Sequence, residues 1–147
     1  MQLSKLFKTL GLTAFIVAVS QTTSLFIQNK VLAEAGSNKL LVNETLQINQ
    51  YLLSSDGIYK FILQSDGNLV LYRTDYGIAL WNSGTVGRAV NYAIQQSDGN
   101  FVIYGPQGAV WSTRTQGNYG AFLQVQNDGN VVIYKPTAVW QTGTSGK

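Results

Sequence analysis

An all-β chain made of three copies of one unit is what this sequence predicts, on three observations. The stretch Gln64-Ser65-Asp66-Gly67-Asn68-Leu69-Val70-Leu71-Tyr72 returns at 96-104 as Gln96-Ser97-Asp98-Gly99-Asn100-Phe101-Val102-Ile103-Tyr104. It returns again at 126-134 as Gln126-Asn127-Asp128-Gly129-Asn130-Val131-Val132-Ile133-Tyr134. A period of about thirty residues marks an architecture that repeats one supersecondary unit. Asp-Gly pairs at 56-57, 66-67, 98-99 and 128-129 lie between alternating apolar residues, a hairpin signal because both residues tolerate the backbone of a tight turn. From Lys39 onward no stretch has helical periodicity, and short runs of Val, Ile, Leu, Phe and Tyr alternate with Gly, Asn, Asp and Ser clusters.

Taken in order, the chain opens on a segment of different character. Lys5 and Lys8 precede the apolar run Leu10 to Val19, and small residues follow at Val31-Leu32-Ala33 and Ala33-Glu34-Ala35. Residues 1-33 therefore read as a secretory signal peptide, cleaved after Ala33 or Ala35. The run falls short of the roughly 20 apolar residues that span a bilayer, so no membrane insertion is expected after the leader is removed. The expected product is a secreted protein, extracellular or periplasmic, with residues 34-147 as one domain.

Removing the leader takes away Lys5, Lys8 and Lys30 and leaves seven basic and seven acidic residues. The formal charge of +3 thus belongs to the leader, and a basic patch for nucleic acid has no compositional support. The chain has no cysteine, so packing and hydrogen-bonded strands must stabilise a domain of about 110 residues, large enough to bury roughly two thirds of its surface.

Residues 36-57 form a partial unit without the motif, whose Leu40, Leu41, Leu46, Ile48, Leu52 and Leu53 are expected to complete the third sheet or close the repeat array. In each full copy one strand leads into the Asp-Gly turn, a second carries Asn, Val and Tyr, and a third ends at a tryptophan. Trp81, Trp111 and Trp140 are the chain's three tryptophans, one per copy. Such spacing suggests three rings meeting near a pseudo-threefold axis as a shared core. The alternative is that they stack on ligand, although they fall outside the repeated polar residues.

Strand parity separates two faces. In the second strand of each copy Asn, Val and Tyr share one face, while Leu69 and Leu71, Phe101 and Ile103, and Val131 and Ile133 point into the core. In the preceding strand Tyr59, Phe61 and Leu63 of the first copy, and Ala121, Leu123 and Val125 of the third, have core parity. The second copy places Asn91, Ala93 and Gln95 there instead, so a bulge or unusual exposure is expected at 91-95. Residues 137-144 read as a last strand, and 143-147 as a frayed tail.

The shared face presents an amide, a carboxylate, a second amide and a phenol around a valine. That mixture donates and accepts over a small area, as a vicinal pair of sugar hydroxyls requires, and the carboxylate is a charge-assisted acceptor. Turn chemistry explains Asp and Gly but not the return of Gln, Val and Tyr at fixed parity. Catalysis finds little support: there is no His and no Cys, and no carboxylate pair recurs to serve as acid and base. Asp66-Gly67-Asn68 lacks the later Glu of an EF-hand loop. Asn43-Glu44-Thr45 is a formal glycosylation sequon, read here as fortuitous.

With three unbroken Q-x-D-x-N-x-V-x-Y motifs and three Trp-containing strand ends, residues 40-144 resemble the bulb-type mannose-binding lectins of monocots and their bacterial and animal relatives. The resemblance implies a β-prism II fold, three four-stranded antiparallel sheets around a pseudo-threefold axis, with three shallow mannose sites and no metal or other cofactor. By motif position, Asp66, Asp98 and Asp128 with Asn68, Asn100 and Asn130 would bind the axial O2 of mannose. Gln64, Gln96 and Gln126 would bind O3, Tyr72, Tyr104 and Tyr134 would bind O4, and Val70, Val102 and Val132 would touch the C3–C4 edge. Plant members carry a disulfide that this cysteine-free chain lacks, which points to a bacterial member. Members of the family dimerise by exchanging the C-terminal strand, and residues 137-144 could do so in a homodimer. The leading expectation is a secreted, multivalent, non-catalytic lectin for mannose, mannosylated glycans and surface polysaccharides. The alternatives are an antibacterial lectin-like protein directed at the surface polysaccharide of related bacteria, and a sugar-independent assembly module.

Overall fold

The structure, a computed structural model, describes residues 32-34, 36-135 and 137-147. The expected leader lies outside the described residues except for Leu32 and Ala33. Twelve strands occur among the described residues: β1 (Lys39–Leu40), β2 (Thr45–Gln47), β3 (Tyr51–Leu53), β4 (Tyr59–Leu63), β5 (Leu69–Arg73), β6 (Ile78–Asn82), β7 (Tyr92–Gln95), β8 (Phe101–Gly105), β9 (Gly108–Ser112), β10 (Phe122–Val125), β11 (Val131–Lys135) and β12 (Thr137–Gln141). They form three four-stranded sheets, in the orders β3-β4-β5-β6, β2-β7-β8-β9 and β1-β10-β11-β12. Every pairing between these strands is antiparallel.

Each sheet is one repeat plus one strand from residues 36-57. The partial unit does not serve the third sheet alone: β1, β2 and β3 each add to a different sheet. Leu40, Leu46 and Leu52 enter the core at 0% exposure, whereas Leu41 and Ile48 stay exposed. Between them Asn43 and Asn49 adopt φ of 66° and 65°, the left-handed region that asparagine tolerates better than most residues. These two residues turn the chain from one sheet to the next, and the amides of Asn43 and Asn49 donate to Gln95 and Leu63 carbonyls at 2.7 and 2.6 Å.

The Asp66-Gly67 turn needs glycine twice over. Gly67 sits at φ 90°, and a Cβ there would lie 2.2 Å from the Arg88 carbonyl oxygen. Only a residue without a side chain satisfies both constraints.

The second copy keeps its register. Tyr92 to Gln95 pair without interruption with Tyr104 to Phe101, so the bulge expected at 91-95 is absent. Ala93 and Gln95 are buried, and Gln95 is accommodated because its Nε2 donates to the Ala121 carbonyl at 3.1 Å. Its Oε1 is buried without a partner. The bulges fall elsewhere, one per repeat, where Leu71, Ile103 and Ile133 oppose Trp81, Trp111 and Trp140, but Tyr72, Tyr104 and Tyr134 oppose Ala79, Ala109 and Ala138. The extra residue, Leu80, Val110 or Val139, packs against the core beside the tryptophan. A bulge lets two consecutive residues face inward, which regular pleating forbids.

The three indoles meet one another. Their centroids are 5.6, 5.7 and 6.0 Å apart with interplanar angles of 67°, 81° and 79°. These are edge-to-face contacts favoured by the ring quadrupole. Trp81 also lies 6.1 Å from Phe61, and Trp111 6.5 Å from Phe101. The half-buried rings pack on the core and on one another, as the shared-core reading expects.

The C-terminal segment is tied down rather than frayed. Thr144 is 1% exposed, the Gly146 amide donates to the Asp128 carbonyl at 2.7 Å, and the Tyr59 hydroxyl donates to the Lys147 carbonyl at 3.2 Å. Strand β12 pairs with β11 of its own chain, from Val132↔Gln141 to Lys135↔Thr137.

Candidate functional site

Each candidate site grows from a hairpin turn. The Gln64 amide donates to the Asn68 carbonyl at 2.8 Å and the Gly67 amide to the Gln64 carbonyl at 3.1 Å. The Asn68, Asn100 and Asn130 amides donate to Oδ1 of Asp66, Asp98 and Asp128 at 2.9, 2.9 and 3.0 Å. One carboxylate oxygen thus shapes the turn, as an Asx motif does. In the first two copies the other oxygen remains available.

The asparagine side chain is half staple, half donor. Oδ1 of Asn68 accepts from Ser83 Oγ and the Thr85 amide at 3.1 and 3.2 Å. Oδ1 of Asn100 accepts from Thr113 Oγ1 and the Thr115 amide, both at 3.2 Å. Oδ1 of Asn130 accepts from Thr142 Oγ1 and the Gly143 amide at 2.9 and 3.1 Å. A backbone N–H can only donate, so these contacts fix which end of each side chain is oxygen. In the first two copies the NH₂ group is left to face the site, and in the third it donates to Gln141 Oε1 at 2.7 Å.

Behind the asparagine lies a hydroxyl pair that sequence reasoning missed. Ser83 bonds Thr85 at 2.6 Å, Thr113 bonds Thr115 at 2.8 Å, and Thr142 bonds Thr144 at 2.8 Å. Thr85 and Thr115 then donate to the Gly67 and Gly99 carbonyls at 2.7 Å each, and Thr144 to that of Gly129. The signal was present: Ser or Thr, any residue, then Thr begins two residues after every tryptophan.

Gln and Tyr close the other side. Nε2 of Gln64, Gln96 and Gln126 donates to the hydroxyl of Tyr72, Tyr104 and Tyr134 at 3.0, 2.8 and 2.5 Å. That leaves an amide oxygen and a phenolic hydrogen per site. Val70, Val102 and Val132 share this face, but only 3%, 3% and 2% of each is exposed. The valine is thus a floor covered by its neighbours more than an open apolar surface, less than strand parity alone suggested.

All fifteen predicted residues come together, five per sheet, in three separate clusters. The walls differ. Flanking the valines across the sheet stand Ile62 and Asn82, Ile94 and Ser112, and Gln124 and Gln141. Beside the tyrosines stand Lys60, Tyr92 and Phe122, the last two with ring centroids 5.7 and 5.9 Å from Tyr104 and Tyr134. The shifted titrations lie away from the clusters, at the tip of the β5–β6 hairpin. There a hydrogen bond with Asp75 raises the Arg73 pKa, and the same bond lowers that of Asp75. Among the described residues no group of three or more His, Cys, Asp or Glu could hold a metal ion, and no helix is long and apolar enough to cross a membrane.

No family model matches the sequence. A mannose-specific lectin of Narcissus pseudonarcissus is 44% identical over 70 residues, 48% of this chain and 62% of that protein. A mannose-specific lectin of Galanthus nivalis is 41% identical over 69 residues, 47% of this chain and 42% of that protein. The match thus spans less than two thirds of either relative's length. Among solved structures, a monomeric monocot mannose-binding lectin from Gastrodia elata superposes with a TM-score of 0.67 at 40% identity, covering 74% of this chain and 99% of that one. The snowdrop agglutinin complexed with methyl-α-D-mannoside gives 0.61 at 39% identity, over 74% and 97%.

Three antiparallel sheets around a tryptophan triad, matched to these structures, make a β-prism II protein of the lectin class, not an enzyme. More narrowly, the chain belongs to the bulb-type, or monocot, mannose-binding lectin family. These relatives are plant proteins, and they lend no support to the expected bacterial placement.

Proposed function

We propose that this chain binds mannose-containing glycans through its three repeated clusters. The observation that carries the reading is that one set of polar side chains, Gln, Asp, Asn and Tyr, gathers in all three sheets. In the first two clusters an asparagine NH₂ group, a glutamine oxygen and a tyrosine hydroxyl turn toward one small area, beside an aspartate whose Oδ1 alone is committed to the turn; in the third the same groups gather, with the asparagine and aspartate also bonded to Gln141 and Ser145. An axial hydroxyl such as O2 of mannose can donate to the carboxylate while accepting from the asparagine amide. Its neighbours O3 and O4 meet the glutamine oxygen and the phenol. An equatorial O2, as in glucose, points away from that pair. Fixing these groups on paired strands keeps the ordering cost of binding low.

Single sites of this shallow kind bind weakly, and three on separate faces gain strength through multivalency. Residues 1-33 fit a secretory leader, which would carry the domain to where such glycans are displayed. Glycan-array binding competed by free mannose tests the reading. Loss of binding in the triple variant Asp66→Ala, Asp98→Ala, Asp128→Ala is the expected result, and failure of the unaltered chain to bind any mannose-bearing glycan overturns it.

A further inference from the structure

We propose that the three sites are not equivalent: in the third, Gln141 occupies the asparagine donor that the other two leave open, so a sugar enters only by displacing a side chain of the protein itself. This rests on the sugar-site reading above. The residue across β-strand register from the site valine is Asn82, Ser112 or Gln141 in the three copies. Asn82 curls onto its own loop, its Oδ1 accepting from the Gly84 amide at 2.9 Å. The Ser112 side chain is too short to reach across. Gln141, one methylene longer than asparagine, spans the gap, and its Oε1 accepts from Asn130 Nδ2 at 2.7 Å.

The aspartate of the same site is also engaged. Ser145 Oγ donates to Asp128 Oδ2 at 3.0 Å, while the residues five positions after the other two tryptophans are Val86, which has no side-chain donor, and Gln116. Asn130 accordingly falls to 5% exposure, whereas Asn68 and Asn100 are only half-buried. The carboxylate and amide that would hold one sugar hydroxyl are both satisfied internally. At the open sites hydrogen bonds to a sugar replace bonds to water, whereas here they must replace bonds already made within the protein, so less net gain remains. The third site should therefore bind a monosaccharide about tenfold more weakly, a difference of about 1.4 kcal/mol.

Titrating the isotopically labelled full chain with methyl α-mannoside, and following the side-chain amide signals of Asn68, Asn100 and Asn130, reads the three sites separately. The expected result is a midpoint for Asn130 about tenfold above the other two, lowered part of the way by Gln141→Ser and brought level with them by Gln141→Ser combined with Ser145→Ala. Ser112 already stands at the matching position of β9, so Gln141→Ser suits the fold. Equal midpoints in the unaltered chain, or an Asn130 midpoint that Gln141→Ser leaves in place, overturn the inference. A second readout needs no sugar: Gln141→Ser should speed solvent exchange of the Asn130 amide and leave Asn68 and Asn100 unchanged. Absence of that effect also overturns the inference, whereas an absence of any response to mannoside overturns the mannose reading instead.

Discussion

Asn68 and Asp66 show how one residue divides its atoms between fold and function. Asp66 needs only one oxygen to accept from the Asn68 amide, and an asparagine oxygen can take that bond equally well. Asp66→Asn should hold stability to within about 0.5 kcal/mol while weakening the first site roughly tenfold or more, because the charge-assisted acceptor is lost. Thermal unfolding together with the Asn68 amide titration checks both halves. Gly67→Ala should behave in the opposite way, lowering stability by about 2 kcal/mol or more in denaturant unfolding, since both its φ of 90° and the Arg88 carbonyl exclude a Cβ. At this scale the sequence was highly legible. Alternation named every residue of the three clusters, because side-chain direction along a strand is local geometry. It missed Thr85, Thr115 and Thr144, whose partners across the turn are 18, 16 and 15 residues away.

Among elements, the hairpins were legible and the short strands were not. Strands of two or three residues such as β1 and β2 carry too few positions to display a period. Yet Leu40, Asn43, Leu46, Asn49 and Leu52 recur at every third position, a pattern of core leucine and corner asparagine that becomes readable once the three sheets are seen. Leu46→Ala, at the fully buried centre of this segment, should cost about 2–5 kcal/mol by leaving a cavity, measurable as a fall in denaturant midpoint with an unchanged slope. The tip of the β5–β6 hairpin makes a weaker contribution. Arg73 Nε lies 3.0 Å from Asp75 Oδ1 and lowers the aspartate's pKa from its ordinary 3.8. A depressed carboxylate pKa adds stability that is present above the unfolded value and is lost as pH falls through the folded one. Asp75 is exposed and Arg73 partly so, so Asp75→Asn should shift acid unfolding only slightly, and 1 M salt should erase the difference.

For the whole molecule, the tryptophan triad joins all three sheets. Trp81 lies within 6 Å of both Trp111 and Trp140. Trp81→Ala should cost about 3–5 kcal/mol and disturb all three sites together, seen as simultaneous changes in the amide signals of Asn68, Asn100 and Asn130. A purely local effect on the first sheet would contradict this view of the core. The sequence by itself determined the repeat, the hairpins, the two faces of each strand and which fifteen residues gather in three clusters, because all of these follow from spacing within one hairpin. Tertiary structure alone decided which sheet each N-terminal strand joins, where the bulges admit a second inward residue, how Gln95 is tolerated in the core, and that Gln141 reaches Asn130. Those outcomes depend on packing between segments distant in sequence, as in the pairing of Lys39 with Gln124, and no local period encodes which distant surface a residue will meet.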